Sequence, residues 1–417
     1  MVFQDHKIAL PSASLLPGQV NTVQMYFFNM YRTDGIGLNA FMAKECGQQY
    51  LKTRFETDFC HTIFPCFDQP DLAASLKLSC QTESDWTVLS NDVEDEDIGQ
   101  IERMKLRLEC EHAQSLFRSI ADTTPAGNRQ FIFKPSRAVS TYGYSIIAGR
   151  FSYRERHTAG LPRLRIYARP TFIDDVNSEE MFDVYEAGLT FYRDFMGVGF
   201  PFSKYDTVFA PERNYAATEN FGCVTPGSLE GLELDYVHTN SSPSTTISYN
   251  ESYIFSRETA TEAKRLRFYI SNLHELAHMW FGTLVSISWW DDVGMNEAIS
   301  TYVAFLALLA SPKLAQYHQN CWVTFQEYKF WGLAKDCLTT THPICRRVHT
   351  ADDAETLYDG IAYGKGPAFV KQIFNLLGHD VMRAGLQEYF RRYMWGHATF
   401  HDLVNCLELA SGQLQLS

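Results

Sequence analysis

The residues best equipped for chemistry lie in one short stretch. His274-Glu275-Leu276-Ala277-His278 is followed, after eighteen residues, by Glu297. On a helix, positions four apart share a face, so His274 and His278 can direct their imidazoles at one point. Glu275 sits about a hundred degrees round from His274, able to reach a water there without joining the ligands. Glu297, from a second helix, would be the third ligand. Two imidazoles and a carboxylate leave the fourth tetrahedral position open for water, which is the pattern of a catalytic zinc; a structural zinc is closed by four protein ligands. The surrounding helix is apolar at Leu273, Leu276, Ala277, Met279, Trp280 and Phe281. Its polar trio is therefore expected to be buried or to face a cleft, and one metal ion would satisfy all three groups together.

The elements that must hold this site follow from patterning. Residues 258–284 read as one long helix carrying the motif, and residues 296–414 as predominantly helical, with polar loops near 311–315 and 337–356. Upstream, residues 1 to about 165 show short alternating segments broken by turn residues. Examples are Thr22 to Phe27, Leu76 to Cys80, Trp86 to Leu89, Phe131 to Phe133 and Tyr144 to Ile147, the pattern of half-buried strands. Asp92 to Asp97 reads as a solvated hairpin tip. Between the two regions, Glu179 to Phe195 has helical periodicity, Gly197 to Pro201 breaks it, and Tyr205 to Ala210 reads as a strand. Thr239 to Ser252 is a Ser/Thr-rich loop whose two sequons, at Asn240 and Asn250, are read as polar loop sequence. The expected fold class is α+β: a β domain over residues 1–168, then a mixed α/β domain over residues 169–417.

Composition narrows the partners. A chain of 417 residues with 45% hydrophobic content can bury large cores. A formal charge of −13, without any Lys/Arg-dense tract, argues against nucleic acid and anionic membrane. Residues 1–20 carry no leader pattern, and no run approaches the roughly 18 apolar residues of a membrane span, so a soluble, cytoplasmic chain is expected. The ten cysteines form no Cys-x-x-Cys pair and read as free thiols of a reducing compartment.

Four blocks carry a specific resemblance. His274 to Gly282, with Trp289-Trp290 and Asn296-Glu297, resembles the zinc site of the gluzincin aminopeptidases, the aminopeptidase N and leukotriene hydrolase superfamily. Phe64-Pro65-Cys66-Phe67-Asp68-Gln69-Pro70-Asp71 is similar to a block of that family's N-terminal β domain. Ala216-Ala217-Thr218-Glu219-Asn220-Phe221-Gly222 resembles its Gly-Ala-Met-Glu-Asn exopeptidase signature, and Tyr363-Gly364-Lys365-Gly366 its Tyr-x-Lys-Gly block. The resemblance implies a β saddle or sandwich, partial here, followed by a thermolysin-like zinc-peptidase domain.

It also implies one zinc per chain and peptides with a free N-terminus as substrates. Glu275 would be the general base and Tyr363 the donor to the oxyanion. Glu219, and Glu56 sent in from the β domain, would bind the free α-amino group through ionic hydrogen bonds that an internal amide cannot replace. The backbone at Ala216 and Ala217 would run beside the substrate.

Several positions depart from the family pattern. Ala216 and Thr218 replace Gly and Met, Gly294 stands where Trp is common, and Ala298 where Gly is usual. Ala304 occupies a place where an outer-shell carboxylate is frequent, and losing such a partner can cost roughly 10–100-fold in metal affinity or activity. The β domain begins late and the chain stops about where a thermolysin-like domain would finish, without the family's helical C-terminal domain; a truncated product is expected. The alternative to an active aminopeptidase is an impaired relative that binds peptides or acts as a scaffold. A thermolysin-like endopeptidase is a third reading, disfavoured by Glu219 and Glu56.

Overall fold

The computed structural model describes residues 2–4, 7–44, 46–117, 128–211, 223, 224, 254 and 260–412. The first half is built from short strands: β1 (Val2–Gln4), β2 (Lys7–Ala9), β3 (Gly37–Ala43), β4 (Gln48–Arg54), β5 (Ser79–Glu83) and β6 (Thr87–Ser90). After helix α1 (Gln100–Phe117) come β7 (Asn128–Ile132), β8 (Ile146–Gly149), β9 (Ser152–Arg156) and β10 (Arg163–Ala168). A sheet of order β3-β4-β8-β6 and the antiparallel pair β5-β7 enclose a core of Leu51, Trp86, Val88, Phe131, Phe133 and Ala148.

Two features of this half differ from the sequence reading. Thr22 to Phe27 joins no ladder, and residues 100–117 form a helix inside the expected all-β region. Ile101, Met104 and Leu108 give that helix its i, i+3, i+7 stripe. None of the helix is buried; Ile101 is 88% exposed, and its contacts include Tyr26 on His112 and Phe28 on Phe117.

The second half is mostly helical: α2 (Ser178–Met196), α3 (Glu262–His278), α4 (Val293–Ala310), α5 (His318–Asp336), α6 (Ala351–Ala354), α7 (Gly366–Leu377), α8 (His379–Tyr393) and α9 (Phe400–Ser411). Its strands are β11 (Lys204–Val208), β12 (Cys223–Val224), β13 (Val285–Ile287) and β14 (Gly396–Ala398). The sheet order is β12-β11-β10-β9, with β10, β11 and β12 parallel. The strands of residues 152–168 thus pair with the helical half. One large core joins Leu164, Tyr205, Leu273, Leu276, Trp280, Val303 and Phe390.

Local chemistry sets the helix ends. Glu179 and Glu180 complement the dipole in the first turn of α2, and Gly197 closes it with φ +72°. α9 opens with a reciprocal Thr399/Asp402 capping box. α3 is shorter than the periodicity predicts, ending at His278. The chain turns at Gly282 (φ +98°), where an added Cβ would sit 2.9 Å from Asn296 Nδ2, and then enters β13.

The segment Trp290–Ala310 is long and apolar enough to cross a membrane by composition, but 78% of its apolar 18-residue window is buried inside the protein. It carries Glu297, so its apolarity is that of a core helix. The loop of residues 239–252 and the motif of residues 216–222, including Ala216, Ala217 and Glu219, lie outside the described residues.

Candidate active site

α3 runs through the centre of the core, with every residue from Phe268 to His278 buried. α2 approaches it closely at Gly188, where a Cβ would lie 2.6 Å from Leu273 and 2.7 Å from Leu276. Polar groups of α2 then fix the helix. The Tyr192 hydroxyl donates to the Leu273 carbonyl at 2.7 Å, and the Tyr185 hydroxyl to Asn272 Oδ1 at 2.5 Å. Burial pushes both phenols above their ordinary pKa, so both remain donors.

His274, His278 and Glu297 converge as the spacing predicts. The two imidazole Nε2 atoms are 2.9 Å apart, and each lies 3.2 Å from Glu297 Oε2. Donors about 2.0–2.2 Å from a tetrahedral zinc are about 3.3 Å apart, so this spacing fits one ion at their common focus. The outward nitrogens set the tautomers. His278 Nδ1 faces the Phe281 carbonyl at 3.1 Å; a carbonyl only accepts, so Nδ1 carries the proton and Nε2 keeps its lone pair for the metal. His274 Nδ1 is 3.1 Å from Thr301 Oγ1, and Ser300 Oγ lies 3.4 Å from His278 Nδ1.

Burial, aided by the neighbouring His278, depresses the His274 pKa and favours the neutral, ligating form. Burial works against the Glu297 carboxylate, but the two facing imidazoles, His278 first, outweigh it and hold the group below the usual range. The residues present fit zinc.

The outer shell adds a residue that the sequence reading did not name. Ala304 is fully buried in the core, while the partner of His274 is Thr301. The signal was available: residue 301 is one helical turn beyond Glu297 and shares its face. The other departures have steric accounts. A Cβ on Gly294 would meet the Ile344 carbonyl at 2.1 Å, so the 337–350 loop takes the space of a side chain. The Ala298 methyl faces Gly366, where a second Cβ would be only 2.7 Å away.

Tyr363 sits in a π-helical turn, Ile361–Lys365. Such turns often mark functional positions. Its ring is stacked on Trp331 at 6.4 Å and lies 5.9 Å from the His274 ring. Close backbone contact makes this possible: a Cβ on Gly332 would be 2.2 Å from Lys365 N, and one on Gly364 would be 2.3 Å from the Tyr328 carbonyl. Lys365 is tied to Asp336 at 2.8 Å.

At the end of β4 the β half meets the helical half. Glu56 is buried, and the Tyr358 hydroxyl donates to its Oε1 at 2.5 Å. Burial and the charges of Glu56, Glu297 and Glu355 raise the Tyr358 pKa, so the phenol remains a donor to Glu56. Arg54 pairs with Glu355 at 2.7 Å. Elsewhere along the junction the Tyr142 hydroxyl donates to the Gly282 carbonyl at 2.6 Å, and Ser140 Oγ and Ser286 Oγ are 2.9 Å apart. The structure brings His274, His278 and Glu297 to one point, sets the Tyr363 ring beside His274, buries Glu275, and holds Glu56 against Tyr358.

Comparison with known proteins agrees with this architecture. Residues 4–104 match the family model of the peptidase M1 N-terminal domain, and residues 239–416 that of the peptidase family M1 domain. Aminopeptidase N of Streptomyces lividans is 31% identical over 99% of this chain and 42% of its own length. Probable aminopeptidase 2 of Sulfurisphaera tokodaii is 26% identical over 87% of this chain and 40% of its own length. Aminopeptidase N of Rattus norvegicus is 27% identical over 83% of this chain and 31% of its own length. The chain belongs to peptidase family M1 and is aminopeptidase N-like, with a zinc site at His274, His278 and Glu297. It spans less than half the length of these curated relatives.

Proposed function

We propose that the chain is a zinc-dependent aminopeptidase that removes N-terminal residues from peptides. The observation carrying this reading is the buried convergence of His274 Nε2, His278 Nε2 and Glu297 Oε2, with the imidazole Nδ1 atoms turned to outer partners. Zinc, when bound, supplies a Lewis acid and lowers the pKa of a water towards ~7.

Glu275, one residue beyond the first ligand and buried beside the site, accepts the proton of the attacking water and passes it to the leaving amine. Tyr363 donates its phenolic hydrogen to the developing oxyanion, and the packing of α5 on its π-turn keeps the ring oriented. Glu56 offers a buried carboxylate to the substrate's ammonium group, oriented by Tyr358. Glu219 is assigned the same role on the strength of its motif alone. Nine described cysteines are free thiols, which supports a reducing compartment such as the cytoplasm.

The test is hydrolysis of a panel of fluorogenic aminoacyl amides by the purified chain, with and without a zinc chelator, beside Glu275→Gln. Chelator-sensitive release that disappears in Glu275→Gln supports the aminopeptidase. Folded, zinc-loaded protein that releases nothing would leave the peptide-binding or scaffold reading in its place.

A further inference from the structure

A second cluster of ligand-type side chains lies between β4 and β5. The Cys60 and Cys66 sulfurs and a carboxylate oxygen of Asp68 lie within 4.8 Å of one another. Cys60 is fully buried, and Cys66 and Asp68 are half-buried. A tight turn creates the arrangement: Cys60–Thr62 is a 3-10 turn, and the Ile63 and Phe64 N–H groups donate to the Cys60 carbonyl at 3.0 and 3.3 Å. Asp68 is held in place by the His61 backbone N–H at 2.8 Å, by His61 Nδ1 at 3.0 Å and by the Thr141 hydroxyl at 2.6 Å.

We propose that Cys60, Cys66 and Asp68 form a second metal site, separate from the zinc centre, that takes one thiophilic divalent ion such as Zn²⁺ or Cd²⁺. Thiolate ligands select soft and borderline ions, and hard cations avoid them. Zinc–sulfur bonds of about 2.3 Å and zinc–oxygen bonds of about 2.0–2.2 Å need donors roughly 3.5–3.8 Å apart. The three atoms all lie within 4.8 Å of one another, a bound that admits this separation. The fourth position falls to water.

Burial, the neighbouring thiol and the Asp68 charge all disfavour a bare Cys60 thiolate, and a bound dication reverses that penalty. A disulfide would account for the two sulfurs but gives the carboxylate no part. Binding displaces two thiol protons per ion, so affinity falls as pH drops. The site also has a structural reach. Glu56 lies four residues before Cys60, and beyond Asp68 the Pro70 carbonyl accepts from Ser286 at 3.4 Å. An ion here would tie together the segment that presents Glu56.

The experiment is titration of the reduced, metal-free full chain with Cd²⁺, following ions bound, protons released and thiolate-to-cadmium charge-transfer absorption. The expected result is two ions per chain, with the thiolate absorption kept in His274→Ala and lost in Cys66→Ser of unchanged circular dichroism. Alkylation mapped by peptide needs no substitution and guards against misfolding of the variant: cadmium should protect Cys60 and Cys66 together. Absence of protection at both, a single ion in the parent chain, or a Cys60–Cys66 disulfide in place of bound metal would overturn the proposal.

Discussion

The helical half and the β half hold their functional groups in different ways. α3 and α4 embed His274, Glu275, His278 and Glu297 in one continuous core, with Thr301 and the Phe281 carbonyl fixing the imidazoles from behind. The β half has smaller cores and an exposed helix, and it delivers Glu56 to a junction where Tyr358 and the Arg54–Glu355 pair receive it. Bond-making chemistry tolerates errors of only a few tenths of an ångström, so it belongs where packing fixes every rotamer. Recognition of a substrate end suits an interface between two bodies, which is where ligand sites commonly form.

The comparison predicts graded effects. Glu275→Gln should lower kcat by about 10²–10⁴-fold with zinc content unchanged, read by steady-state kinetics beside metal analysis. Loss of zinc in that variant would make Glu275 a ligand and break the division of roles. Thr301→Ala should weaken zinc binding by roughly 10–100-fold in competition with a chelating dye, and Thr301→Ser should restore most of it.

Packing should separate the halves in the same way. Gly332→Ala drives a methyl into the backbone of the π-turn at 2.2 Å and should cost about 1–3 kcal/mol in denaturant unfolding, with activity falling alongside. Gly99→Ala, in the open surroundings just before α1, should stay within about 0.5 kcal/mol. Equal losses at both positions would contradict the contrast.

The smallest effect concerns pH. His342 lies 3.4 Å from Asp359, which accepts from the Ile361 N–H as the chain enters the π-turn. The Asp359 hydrogen bond raises the His342 pKa, against the opposing effect of burial. A raised folded-state value contributes stability that is fully present below the unfolded pKa of about 6.5 and fades as pH rises through the folded value. The melting temperature should therefore decline through that window, and His342→Asn should flatten the decline.

How much of this was legible in the sequence follows from how local each feature is. The zinc ligands and Glu275 were readable because i, i+4 spacing on one helix fixes a face, and Tyr363 was readable through its motif. Thr301 belongs to none of the family blocks, although helical arithmetic from Glu297 puts it on the ligand face. Glu56 could be reached only through family resemblance, since the ring that receives it is 302 residues away. The end of α3 depended on Gly282, whose left-handed conformation no periodicity records. α1 was missed because its stripe of Ile101, Met104 and Leu108 lies within a run of strands, and no buried face confirms it. Thr22 to Phe27 alternates like a strand, but Tyr26, and Phe28 just beyond the segment, meet α1 instead of a ladder partner.

The most direct test of the division between the halves is the kinetics of Glu56→Gln on matched substrates with free and N-acetylated termini. The account predicts a raised KM for the free amine with kcat largely kept, and a smaller preference over the acetylated substrate. An unchanged KM and an unchanged preference would contradict it, and would leave the β half without a part in choosing the substrate's end.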